Sequence, residues 1–224
     1  MEIEKYPKTN KILQSYLKLK FGKVRVRCTY WINKPDKKIR GPYSGKGTPS
    51  QIVNVAKHLA KKEGLKLEKM NPEESFSFLK RKRIGVDCSG FAYNLANSLD
   101  RELGRGGLAH LGPARRCNTD CLTNTSITRE IKVEDIKAGD LVRMLGGKHA
   151  LFVVDKASGF IVYAHSSGRL SEINGVHLGR IKIVKPQKDL SFQVWLEKTR
   201  KGENFGKKYF DTGKGDSIRR FKWW

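Results

Sequence analysis

Residues 87–99, DCSGFAYNLANSL, restrict the fold more than any other stretch of this 224-residue chain. Counted from Cys88, apolar side chains fall at Phe91, Ala92, Leu95, Ala96 and Leu99, one face of a helix whose first member is a thiol. Asp87 is a natural N-cap for that helix. A thiol in a first helical turn lies at the positive end of the macrodipole, beside unpaired backbone N–H groups that favour thiolate and lower its pKa from about 8.5. The same N–H groups can stabilise an oxyanion. Gly90 lets another backbone or a substrate approach closely. On this segment alone, a buried structural cysteine opening a core helix fits equally well.

A nucleophilic cysteine needs a base, most often His, and a third group that orients it. The stretch IKAGDLVRMLGGKHALFVVDKASGFIVYAHSSG, residues 136–168, supplies both in two strands, the apolar run after His149 and Phe160 to His165. His149 and His165 are 16 residues apart and share a sheet face only if the connection holds an odd number of residues. A five-residue loop over 155–159 satisfies this and puts Gly159 where a positive φ is often needed.

Upstream, Thr9 is expected to cap a short amphipathic helix carrying Ile12, Leu13, Tyr16, Leu17 and Leu19. KVRVRCTYWI alternates Val24, Val26, Cys28, Tyr30 and Ile32 as a strand with one solvated face, which makes Cys28 a core residue. TPSQIVNVAKHLAKKEG reads as a helix capped by Thr48 or Ser50, with Ile52, Val55, Ala56, Leu59 and Ala60 on its apolar side and Gly64 as its stop. His58 lies beside that stripe as a packing or surface residue. GPYSGKGT is not a phosphate loop, because Gly41 to Gly45 is one residue too short and Lys46 is followed by glycine.

A formal net charge of +24 exceeds what solubility needs and implies a polyanionic partner: nucleic acid, anionic lipid or an anionic cell-wall polymer. No apolar run approaches the roughly 18 residues of a membrane span, and the N-terminal residues lack a secretory h-region. The expectation is a cytosolic protein or one delivered by another route. Four cysteines in a chain this long do not make a disulfide scaffold, so the 38% hydrophobic content must build one folded core.

The blocks DCSGF (87–91), IKAGDLV (136–142), KHALFVV (148–154) and VYAHSSG (162–168) resemble, in order, the NlpC/P60 cysteine peptidases. The resemblance implies an α+β, papain-like core with the nucleophile at the N-terminus of a helix packed on an antiparallel sheet. It also implies cleavage of peptidoglycan peptides next to γ-linked D-glutamate. Carried over, Cys88 is the nucleophile, His149 the general base and His165 the group that orients it, while Asp87 and Ser89 line the substrate groove. The family's usual tyrosine about a dozen residues before the cysteine is missing; SFSFLKRKRIG offers Phe76 and Phe78 instead.

On this reading residues 1–75 pack on or lead into the core, 76–198 form the catalytic core and 199–224 a basic aromatic tail. The tail is disordered, packed back on the core or bound to a polyanion, with partial packing favoured because Phe192 and Trp195 look like a strand end. His110, Cys117 and Cys121 are close in sequence but lack a second ligand pair for zinc, so a groove-lining loop with a local disulfide is expected if the protein is exported. His177 is expected at the surface. The chain is expected to act as a monomer without cofactor or metal. The competing reading is a basic nucleic-acid- or polyanion-binding protein on an idle papain-like scaffold, and an amidase or acyltransferase would use the same thioester.

Overall fold

The computed structural model describes residues 1–224, the side chain of Pro35 aside. Helix α1 (Pro7–Leu17) starts at Pro7 rather than at a Thr9 cap. Proline suits the first turn, where an N–H has no helical partner. Thr9 is buried, its hydroxyl donating to Glu102 Oε2 at 2.5 Å. Strands β1 (Leu19–Phe21) and β2 (Val24–Val26) make a small hairpin. The expected strand to Ile32 ends at Val26. Cys28 is buried as expected, but beyond it the backbone turns to Val86, which donates to Thr29 O at 3.0 Å and accepts from Trp31 N–H at 3.4 Å.

Helix α2 (Pro49–Lys62) follows the sequence reading: Thr48 and Gln51 cap each other reciprocally, and Ile52, Ala56 and Ala60 are buried. His58 is exposed. Helix α3 (Pro72–Arg81) buries Phe78, and helix α4 (Cys88–Glu102) is the central helix of the molecule. A short helix α5 (Thr119–Leu122) follows, with Cys117 and Cys121 joined in a disulfide.

The remainder builds an antiparallel sheet from β3 (Thr128–Ile131), β4 (Leu141–Met144), β5 (His149–Ala157), β6 (Phe160–Ser167), β7 (Gly175–Lys182), β8 (Val194–Trp195) and β9 (Ser217–Phe221), with a short helix α6 (Phe205–Tyr209) before β9. Strand order is β3-β9-β4-β5-β6-β7-β8. The architecture is therefore α+β, with a helix that begins in a cysteine laid against a seven-stranded antiparallel sheet. Alternation along β5 separates two cores. Ala150, Phe152 and Val154 belong with Phe91 and Leu95 of α4. Leu151 and Val153 belong with Trp195 and Phe205 on the opposite face.

The β5–β6 connection corrects the five-residue loop. The turn is two residues, Ser158 and Gly159, both at positive φ (52° and 77°), the conformation that suits a tight hairpin. An even turn alone would put His149 and His165 on opposite faces. A register shift between Val153 and Asp155 inserts the odd residue and returns them to one face.

Residues 199–224 are not an appendage. β9 lies between β3 and β4, and the core around α4 draws residues from Ile3 through Phe221, so the boundaries expected at 75 and 198 separate no independent units. Among the described residues, no helix is long and apolar enough to cross a membrane.

Candidate active site

Cys88 is the first residue of α4, and Asp87 caps it by accepting the Gly90 N–H at 2.7 Å. Two contacts fix this helix end. Ser166 on β6 donates to Val86 O at 2.6 Å, and Asp87 N–H donates to Gly45 O at 2.8 Å. Gly90 is required by that second approach, since a Cβ there would fall 2.6 Å from Gly45 O. Lys46, from the stretch that only superficially resembles a phosphate loop, pairs with Asp87 at 2.8 Å and also donates to Ser89. Asp87 and Ser89, expected to line a groove, are buried against Lys46 and hold the helix end.

The Cys88 sulfur lies 3.7 Å from Thr119 Oγ1 and 3.8 Å from Lys148 O. Burial, then the neighbouring Asp87 carboxylate, pushes its pKa up, against opposing help from Thr119, Lys46 and the Ser89 backbone. The helix end alone therefore does not make a resting thiolate, contrary to the sequence expectation. Complete burial pushes the Cys28 thiol up as well and leaves it no opening to solvent, whereas Cys88 lines a cleft. Cys88 is thus expected to alkylate before Cys28, at a rate that climbs with pH above neutrality rather than levelling off. Peptide mass mapping of iodoacetamide adducts at pH 7 and 9 checks both, and prior labelling of Cys28 would remove Cys88 from consideration.

His149 Nε2 lies 2.8 Å from His165 Nδ1, so the two histidines meet as the parity argument requires. This leaves Nδ1 of His149 as the nitrogen available to Cys88, which lines the same cleft. No hydrogen bond joins Cys88 to His149 in this structure; the sulfur's partners are Thr119 and Lys148 O. Burial first, and then His165, holds the His149 pKa well below its ordinary 6.5. Burial likewise lowers His165, against the opposing pull of Glu197.

His177 corrects the surface assignment. It is buried on β7, directly opposite His165, and the two Nε2 atoms are 2.9 Å apart. Glu197, which the sequence reading did not single out, sits 3.1 Å from both through Oε1 and takes the Tyr163 hydroxyl at 2.5 Å on Oε2. Burial pushes Glu197 up, but His165, by its proximity and its hydrogen bond, with His177 beside it, outweighs burial and holds the carboxyl well below its ordinary range. The alternation His177, Gly179, Ile181 was the available signal for β7. Nothing local marks Glu197, which follows a two-residue edge strand.

The cleft of about 680 Å³ is lined by Cys88, His149, Tyr30 and Trp31. Its other walls carry the basic side chains Lys34, Lys80, Lys148, Arg169 and Arg200, with no acidic residue among the lining. Tyr30 places a phenol in the wall of this cleft. Burial, then Cys88 and Asp87, pushes its pKa up, so it remains a protonated donor. His110 packs on Trp223, with ring centroids 4.9 Å apart, and Thr119 of the disulfide loop is the part that reaches the thiol.

Comparison with family models, curated proteins and solved structures finds no match for the chain.

The site sets a pH dependence of stability. His149 and His165 have folded pKa values below their unfolded ones, so below about pH 6.5 the unfolded chain binds protons the folded chain refuses. Glu197 is depressed too, so its contribution is present above its unfolded value near 4.5 and is lost as pH falls below it. The urea midpoint in metal-free buffer is expected to drop between pH 7.5 and 5.5, then further below 4.5. A midpoint that is flat from pH 7.5 to 5.5 would contradict neutral burial of the two histidines.

Proposed function

We propose that the chain is a thiol hydrolase of papain-like type that cleaves acidic peptides of peptidoglycan next to γ-D-glutamyl linkages. The observation that carries this is the shared cleft of Cys88 and His149, with the far nitrogen of His149 held by His165. In the reaction, His149 Nδ1 takes the thiol proton as Sγ adds to the scissile carbonyl. The Cys88 backbone N–H, which has no helical partner at the first position, and the Tyr30 hydroxyl oppose the charge developing on the carbonyl oxygen. The C–N bond breaks as His149 returns its proton to the leaving amine. Water, deprotonated by His149, then hydrolyses the thioester. His165 keeps the Nε2–H of His149 occupied so that Nδ1 stays the basic atom.

The substrate class follows from charge. A γ-linked glutamyl residue keeps a free α-carboxylate, and a cleft with five basic side chains and no acidic one favours it. The +24 net charge would also retain the protein on anionic wall polymer.

Incubation with defined muropeptides followed by mass analysis tests the reading. The wild type is expected to cut at the γ-D-glutamyl bond, and to cut the α-amidated analogue, which lacks the carboxylate, more slowly. Cys88→Ala is expected to cut neither. Absence of any thiol-dependent product sinks the proposal, and coupling to an added amine would assign a transferase.

A further inference from the structure

We infer that His165, His177 and Glu197 form a binding site for a divalent cation of the Zn²⁺ type, and that occupation of this site withdraws His149 from service as a base. His165 Nε2, His177 Nε2 and Glu197 Oε1 stand at the corners of a triangle with sides of 2.9, 3.1 and 3.1 Å. A tetrahedral cation held by imidazole and carboxylate at about 2.1 Å sets its donor atoms about 3.4 Å apart, so binding would spread this triangle by only a few tenths of an ångström. All three residues are buried, at 0%, 4% and 7% exposure.

Hydrogen bonding alone accounts poorly for the triangle. His177 Nδ1 is 3.0 Å from the Gly175 carbonyl oxygen, an acceptor, so Nδ1 carries the hydrogen. The Nε2 of a neutral His177 is then a lone pair aimed at a carboxylate oxygen. His165 Nε2 brings the one ring hydrogen to these three inward-facing atoms, and the Ser171 hydroxyl, 3.3 Å from His177 Nε2, is the other donor within reach of that lone pair. Among the described residues, Glu197 pairs with these two histidines and with no Lys or Arg, so a bound cation would supply the missing positive charge. The outer contacts are those that orient metal ligands: Gly175 O on His177, the Tyr163 hydroxyl on Glu197, and His149 on His165. The Phe205 ring, 5.5 Å from His165, adds an apolar wall. Imidazole donors with one carboxylate suit zinc and its transition-metal neighbours rather than Mg²⁺ or Ca²⁺.

His165 belongs to both networks, and this couples them. Without a cation, His149 Nε2–H donates to His165 Nδ1, and His165 carries its hydrogen on Nε2. With Nε2 on a cation, His165 carries its hydrogen on Nδ1 and donates it to His149 Nε2. His149 then holds its own hydrogen on Nδ1, the atom that must accept the Cys88 proton. Each ring keeps one hydrogen in both states, and only the positions differ. The cation site stands on geometry alone; the coupling rests on the hydrolase reading of His149.

The test uses the full-length chain, stripped with EDTA, reloaded with Zn²⁺ and freed of excess metal. About one equivalent of zinc is expected to remain by elemental mass spectrometry. Co²⁺ in its place is expected to give visible d–d bands without an intense near-ultraviolet sulfur-to-cobalt band. Glu197→Gln and His177→Gln are expected to lose the metal, and Cys88→Ser to keep it. Zinc is expected to slow iodoacetamide labelling of Cys88 severalfold in the wild type and not in Glu197→Gln. Wild type that retains no zinc overturns the inference without recourse to any variant, as does a sulfur-to-cobalt band. It is likewise overturned by zinc retained in Glu197→Gln, or by bound zinc that leaves Cys88 labelling unchanged. None of these readouts uses a peptide, so a failure to cleave muropeptides would refute the hydrolase reading and leave them standing.

Discussion

Cys88→Ala is expected to reduce turnover of a γ-D-glutamyl peptide by roughly three orders of magnitude or more, because no other group in the cleft can form the thioester. The fold should survive the change: the side chain is small, and the helix end is held by Asp87, Ser166 and Gly45 rather than by the thiol. His149→Ala is expected to cost about 10²–10⁴-fold in kcat with little change in KM, since it moves the proton and does not bind the substrate. His165→Ala should cost less, because its part is to set the tautomer of His149. Steady-state kinetics on a defined muropeptide decide the order. Wild-type turnover in His149→Ala would exclude it as the base, and a larger loss in His165→Ala would make the buried cluster, rather than His149, the centre of the chemistry.

That ordering rests on residues of unequal visibility in the sequence. Cys88 and Asp87 were legible because a helix start is a local event: a cap, a first turn and an apolar face all lie within about a dozen residues. The meeting of His149 and His165 was legible as a parity requirement, but the device that meets it was not. A bulge leaves little trace in an apolar run, so the odd residue was placed in the turn instead of at Val154. His177 and Glu197 were missed for a different reason: alternation over 177–181 marks a strand but not its neighbour, and nothing local marks Glu197. Their burial depends on β7 pairing with β6 and on the chain returning after β8, contacts that no local pattern encodes. Tyr30 was expected in one strand with Val24 and Val26, but that strand ends at Val26, and the place of Tyr30 in the cleft depends on Val86 bridging to it rather than on a strand ladder. The basic residues of the cleft were visible only as net charge, because they come from positions 34 to 200 and are gathered by the fold.

Deleting residues 217–224 is expected to abolish cooperative folding, not to trim a polyanion-binding tail. β9 fills the space between β3 and β4, so its loss leaves two strand edges unpaired inside the sheet. Phe221 is 1% exposed, and the indole N–H groups of Trp223 and Trp224 both donate to Asp100 Oδ1, at 2.8 and 2.6 Å, which fastens the C-terminus to α4. Arg220 adds a buried pair with Asp140, at 2.7 Å from Nε and 2.8 Å from a terminal nitrogen. Burial raises the Asp140 pKa against the pull of Arg220, so removing the guanidinium leaves a buried carboxyl without its paired cation. Arg220→Met alone is expected to lower stability by about 3–5 kcal/mol, the usual loss when one partner of a buried pair is removed. Urea denaturation followed by circular dichroism separates the cases. The truncated chain should show no sigmoidal transition, and Arg220→Met should keep one at a lower midpoint. A truncated chain that melts like the wild type would return residues 217–224 to the surface, where their charge could then be tested as an anchor. If it fails to fold, the search for what the +24 charge binds must use charge reversals on exposed lysines, with retention on wall polymer measured against salt.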